Sequence, residues 1–145
     1  MDKISEHITF KEATRSSVHL PNVPNYEQKC AMIQLAERVF EPLRLFINEP
    51  IYINSFFRSQ AVNSAVGGAF NSQHTRGEAV DIRCKGRNVE MFNYIRENLP
   101  FDQLIWEFGN DKEPAWVHVS YSIASNRRQV LKATKVNGKT KYIKL

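Results

Sequence analysis

The sequence predicts an α+β fold, helices first and then a mostly antiparallel sheet. Three observations carry that expectation. Apolar residues recur at helical spacing between Met32 and Phe46. Short runs rich in β-branched and aromatic residues follow from Ile51 onward. Asn137-Gly138, a strong two-residue hairpin signal, then joins two Lys-rich runs. The 145 residues fit one compact domain, 1–145, with no internal repeat or linker.

Taken in order, Thr9 with Glu12 reads as a capping box that opens a short helix. Pro21 and Pro24 make Ser16 to Pro24 a loop. Asn25 and Gln28 start the next helix, whose buried face is Met32, Leu35, Ala36, Val39, Leu43 and Phe46. Pro42 should kink or divide it. Ile51 to Phe57 reads as a strand. Ser59 caps a short helix that ends at Gly67-Gly68. A loop from Ala69 to Gly77 leads into a second strand, Glu78 to Cys84. Asn88 begins a helix with Phe92, Ile95 and Leu99 as its buried stripe, and Pro100 ends it. Asp102 to Phe108 and Ala115 to Ser122 are two strands joined by a turn holding Gly109 and Asn110.

Composition narrows the classes. The hydrophobic fraction of 42% is ordinary for a globular protein and too high for a disordered one. No apolar run approaches the ~18 residues that span a bilayer, so no membrane span is expected. The first ten residues lack the apolar core of a signal peptide; a phage-encoded protein released by lysis or carried on a virion would need none. The two cysteines, Cys30 and Cys84, read as buried free thiols. The net charge of +5 is uneven: residues 127–145 hold seven Lys or Arg and no acid. Only Tyr142 is aromatic in that run, too few for a nucleic-acid stacking platform, and the run reads as a solvated strand face.

The chemistry concentrates in two strands. Asp81 lies in Ala79-Val80-Asp81-Ile82, where an unpartnered carboxylate would be costly to bury. His118 lies in the similar setting Trp116-Val117-His118-Val119, and His74 lies in the Gly-containing loop before Asp81. Two imidazoles and a carboxylate can hold Zn²⁺ and leave a fourth position open. The same residues are also consistent with a buried hydrogen-bonded cluster, with Arg58, Arg76 and Arg83 as ion-pair partners for the acid. Spacing alone leaves both open.

The wording of the segments goes further. Ser55-Phe56-Phe57-Arg58-Ser59, Val62-Asn63, Val66-Gly67-Gly68, the run Ser72-Gln73-His74-Thr75-Arg76-Gly77-Glu78-Ala79-Val80-Asp81-Ile82, and Trp116-Val117-His118-Val119-Ser120 occur in that order. Together they resemble the zinc D-Ala-D-Ala carboxypeptidases, the peptidase M15 family, which also includes L-Ala-D-Glu endopeptidases, some of them phage lysins. The family motif Ser-x-His-x-x-Gly-x-Ala-x-Asp, followed much later by a strand His, is matched at Ser72, His74, Gly77, Ala79, Asp81 and His118. The likeness covers roughly residues 8 to 123, leaving the basic end, 127–145, outside it. It implies a Hedgehog/DD-peptidase-like fold with His74, Asp81 and His118 as zinc ligands. It also implies that Arg58 binds a substrate carboxylate or steadies the polarised carbonyl, a task its guanidinium fork suits. Ser72, Gln73 and Trp116 are candidate substrate contacts, and Ser72 or Gln73 is also a candidate partner for the His74 ring.

One position departs from the family. Many members carry an acid three residues before the last ligand, and here that residue is Ala115. Peptide hydrolysis by zinc-activated water needs a carboxylate to take the water proton and pass it to the leaving amine. Glu107 and Glu113 are the nearby acids. Glu107 is preferred: with the turn centred near residues 111 and 112, it shares a sheet face with Trp116 and His118, and strands fix geometry better than turns. The expected function is zinc-dependent hydrolysis of peptidoglycan stem peptides, as a carboxypeptidase or an endopeptidase. The alternative, motivated by Ala115 and the basic end, is a non-catalytic zinc-stabilised module that binds cell wall or protein.

Overall fold

The computed structural model describes residues 2–145. The chain opens with a small hairpin, β1 (Lys3–Ser5) and β2 (Ile8–Thr9), too short to show a period in the sequence. Thr9 then caps α1 (Phe10–Ala13) with the expected reciprocal box to Glu12. Asn25 and Gln28 do the same for α2 (Tyr26–Leu35). Helical geometry continues through a π turn, Ala36–Phe40, into α3 (Glu41–Ile47).

That π turn is how the chain accommodates Pro42, which has no N–H to donate back along the helix. The Glu41 N–H reaches the Ala36 carbonyl, one residue farther than in an α-helix. The wider turn retards the helical phase. Val39, Phe40, Leu43 and Ile47 face the core, and Phe46, expected there, is left half-exposed and stacked on Tyr94.

The remaining elements are β3 (Tyr52–Ser55), α4 (Gln60–Ala65), β4 (Ala79–Arg83), α5 (Asn88–Asn98), β5 (Gln103–Glu107), β6 (Trp116–Ser120), β7 (Gln129–Val136) and β8 (Lys139–Lys144). The strand expected over residues 51–57 pairs only over 52–55, with a register shift between Ile53 and Ser55. Phe56 and Phe57 are buried beyond its end. The expected loop before β4 contains a single 3-10 turn, Gln73–Arg76. Asn137 (φ 51°) and Gly138 (φ 78°) both adopt the left-handed conformation that the two-residue hairpin demands. Cys84 is a buried free thiol as expected, whereas Cys30 is only half-buried.

Six strands form one sheet in the order β3-β4-β6-β5-β7-β8, antiparallel except for the parallel β5–β7 pair. One face carries Val80, Ile82, Val117, Val119 and Leu104 into a core completed by the helices, with Met32, Leu35, Phe92 and Ile95 among the residues packed there. The other face carries the polar side chains of the candidate site. No helix is long and apolar enough to cross a membrane among the described residues.

Candidate metal centre

Strand register builds most of the site. Asp81 on β4 lies directly opposite His118 on β6. On the far side of β6, His118 faces Ile105 and Trp116 faces Glu107 on β5. Because side chains alternate along a strand, these residues project from one face of the sheet. His74 comes from the 3-10 turn. The Ser72 hydroxyl accepts the His74 backbone N–H at 3.2 Å and starts that turn, and Gly77 (φ 74°) ends it. A Cβ on Gly77 would lie 2.5 Å from the Gln28 carbonyl oxygen, so the turn can approach α2 this closely only with glycine there.

The candidate ligand atoms of His74, Asp81 and His118 all lie within 4.8 Å of one another. Asp81 Oδ1 is 2.9 Å from His118 Nδ1, and Asp81 Oδ2 is 3.2 Å from His74 Nε2. Arg58 Nη2 stands 3.5 Å from Asp81 Oδ2. Burial would raise the Asp81 pKa, but the hydrogen bond and charge of His118 hold the carboxyl below the usual carboxylate range.

The His74 ring tests whether a cation fits. Its Nδ1 lies 2.7 Å from the Phe56 carbonyl oxygen, which can only accept, so Nδ1 carries the hydrogen. Burial lowers the His74 pKa and outweighs the attraction of Asp81, which favours the neutral ring. A neutral ring with its hydrogen on Nδ1 turns the Nε2 lone pair toward a carboxylate oxygen. Two acceptors at 3.2 Å repel unless a proton or a cation lies between them. On His118, burial also opposes charge, but the hydrogen bond and charge of Asp81, with Glu107 adding, raise the pKa. One dispersed positive charge suits all three groups, and two imidazole nitrogens with a carboxylate form a donor set that fits Zn²⁺.

The two acids considered for proton transfer part company here. Glu107 is buried on the same face as His118, and burial raises its pKa to about 7, against the opposing pull of His118. Glu113 instead accepts the Asn88 backbone N–H at 3.1 Å and so serves the first turn of α5.

A cleft of about 560 Å³ opens over the cluster, and Arg58, Ser72, Gln73, His74, Asp81, Glu107, Trp116 and His118 all line it. Two details differ from the sequence expectations. The His74 ring partner is the Phe56 carbonyl rather than Ser72 or Gln73. Of the three arginines offered as partners for Asp81, only Arg58 pairs with it; Arg76 pairs with Glu78 and Arg83 stacks on Tyr52. Arg58 is further held by the Ser55 hydroxyl (3.0 Å) and the Asn63 carboxamide oxygen (3.1 Å).

Sequence reasoning missed one wall. Leu131, Thr140 and Tyr142 of the C-terminal hairpin also line the cleft. The lone aromatic in the basic run was the available signal, but its location depends on β7 pairing with β5.

Residues 5–120 match the family described as Peptidase M15. No curated protein is similar enough to match the chain.

Proposed function

Because the chain belongs to the peptidase M15 family, we propose that it hydrolyses peptide bonds in peptidoglycan stem peptides, with zinc held by His74, Asp81 and His118. One observation carries this reading: two histidines and an aspartate converge on one point, and a neutral His74 turns a lone pair toward Asp81. Zinc there would supply Lewis acidity, making water a competent nucleophile near neutral pH and polarising the scissile carbonyl.

The chain's own residues do the rest. The Phe56 carbonyl fixes the His74 tautomer, so that Nε2 is the ligating nitrogen. Arg58, anchored by Ser55 and Asn63, steadies the Asp81 carboxylate. Glu107 is the proton carrier. A carboxyl poised near pH 7 can accept a proton from the attacking water and return it to the leaving amine at little cost in either direction. Its place on β5, two residue pairs from His118 and on the same face, supports its filling the role that Ala115 cannot. Trp116 and the Ser72–Gln73 segment line the cleft where a peptide would lie.

Ala115 and the exposed, basic β8 are what a non-catalytic cell-wall-binding module would offer instead. Digestion of purified peptidoglycan with the zinc-loaded protein and with Glu107→Gln separates the two. Release of new peptide ends by the wild type, lost in the variant, is the expected result. Full zinc content with no new ends from the wild type would favour the binding module.

A further inference from the structure

The cleft over the metal centre does not end at Arg58. A second cavity of about 410 Å³ adjoins it, and the two share Arg58 and Val66 in their walls. This second cavity reaches Tyr52 on β3, one edge strand of the sheet. In the other direction the main cleft reaches Thr140 and Tyr142 on β8, the opposite edge strand. The two cavities, separated by Arg58 and Val66, together reach from one edge of the polar face to the other. Five strand spacings of ~4.8 Å amount to about 24 Å, the length of roughly seven extended residues.

The charged groups along the groove matter as much as its length. A cation free of other partners is the strongest receiver for the carboxylate of a free C-terminus. No lysine lines either cavity, and four arginines do. Each already has a protein partner. Arg58 binds Ser55, Asn63 and Asp81. Arg15 donates to the Ile53 carbonyl and stacks on Tyr52. Arg76 binds Glu78 and the Asn71 carbonyl. Arg127 chelates Asp102 through both carboxylate oxygens.

The hairpin side has the form of a chain-binding wall. Glu107 is flanked by Ala133 on β7, and Ala133 by Tyr142 on β8. Ala133 itself is fully buried, packed with Ile105, Leu131 and Phe108, and supports this wall from beneath, while Leu131, Thr140 and Tyr142 face the cleft. Leu131 lies beside Ile105 in the next row. This wall is outside residues 5–120, the part that matches the family.

We propose that the protein is an endopeptidase whose peptide substrate continues past the metal centre in both directions, along the β7–β8 hairpin at Tyr142 and Leu131 on one side and into the pocket lined by Arg15, Tyr52 and Asn54 on the other. This rests on the peptidase reading above, and the test separates the two. The probes are an N-acetylated peptidoglycan stem pentapeptide and its C-terminal amide, each incubated with the zinc-loaded full chain and analysed by mass spectrometry. Cleavage of both at an internal bond, with kcat/KM within about threefold of each other, is expected. Loss of a hundredfold or more on amidation, or release of the terminal residue alone, overturns the endopeptidase assignment and leaves the peptidase reading standing. Cleavage of neither overturns both. For the hairpin, Tyr142→Ala should raise KM for the amide about tenfold with kcat within threefold, as loss of one aromatic contact implies, and Tyr142→Phe should restore it. An unchanged KM in Tyr142→Ala overturns the hairpin's part.

Discussion

His7 sits among Glu6 and Glu41 much as His74 and His118 sit about Asp81, and in both clusters the candidate ligand atoms lie within 4.8 Å of one another. The settings differ. The side chains of Glu6 and His7 are 76% and 37% exposed, whereas those of His74 and Asp81 are 4% and 10% exposed. Glu41 receives hydrogens from the Ser5 hydroxyl (2.6 Å) and the His7 backbone (2.9 Å), and His7 Nδ1 lies 2.7 Å away. Its oxygens already have donors. At Asp81 a backbone carbonyl has turned the His74 hydrogen away, so a lone pair meets the carboxylate. Proximity of ligand-type residues is thus common to both, and burial with a fixed tautomer distinguishes one.

The comparison can be broken or sharpened by substitution. The largest effect is expected for His74→Ala or Asp81→Asn. Either should abolish stoichiometric zinc in elemental analysis and lower peptide hydrolysis about a thousandfold or more, as removal of several kcal/mol of Lewis-acid stabilisation implies. Next is Glu107→Gln, expected to cut the rate by about 10² to 10⁴ with zinc content unchanged. Glu113→Gln should leave the rate alone, because its carboxylate caps α5. Retained activity in Glu107→Gln would remove that residue from the reaction.

A smaller effect should appear in the metal-free protein as a pH dependence of stability. Glu107 has a folded pKa of about 7, above its ordinary value of 4.5, because burial penalises its charge. A raised pKa favours the protonated folded state. The contribution is therefore fully present below pH 4.5 and lost as pH rises through 7, by about 3 kcal/mol at most. Urea unfolding of the chelator-treated protein across that window should reveal the decline, and Glu107→Gln should flatten it. The smallest effect is expected at the exposed cluster. His7→Ala should cost less than about 1 kcal/mol and leave the zinc content and the hydrolysis rate unchanged. A fall in zinc content in that variant would erase the distinction between the two clusters.

What could be read from the sequence was local. The Thr9–Glu12 and Asn25–Gln28 capping boxes, the Ser59 cap and the Asn137-Gly138 turn are each written within four residues, and each formed as expected. Alternation along two strands was enough to place Glu107 with Trp116 and His118, because a hairpin's register follows from where its turn is centred. The buried stripe failed at Phe46 because a π turn changes the helical phase, and its extra residue leaves no mark in an apolar pattern.

The sequence by itself determined the cast of the candidate site: the proposed ligands His74, Asp81 and His118 were legible in ordered motifs, and the proposed proton carrier Glu107 in strand parity. Only the tertiary structure decided what those residues face. The Phe56 carbonyl that sets the His74 tautomer is 18 residues away in sequence. The parallel pairing that brings Tyr142 to the cleft joins β5 to a strand beginning 22 residues after β5 ends. Such contacts arise from strand order and sheet twist across the whole domain, and neither periodicity nor turn chemistry in one segment encodes them.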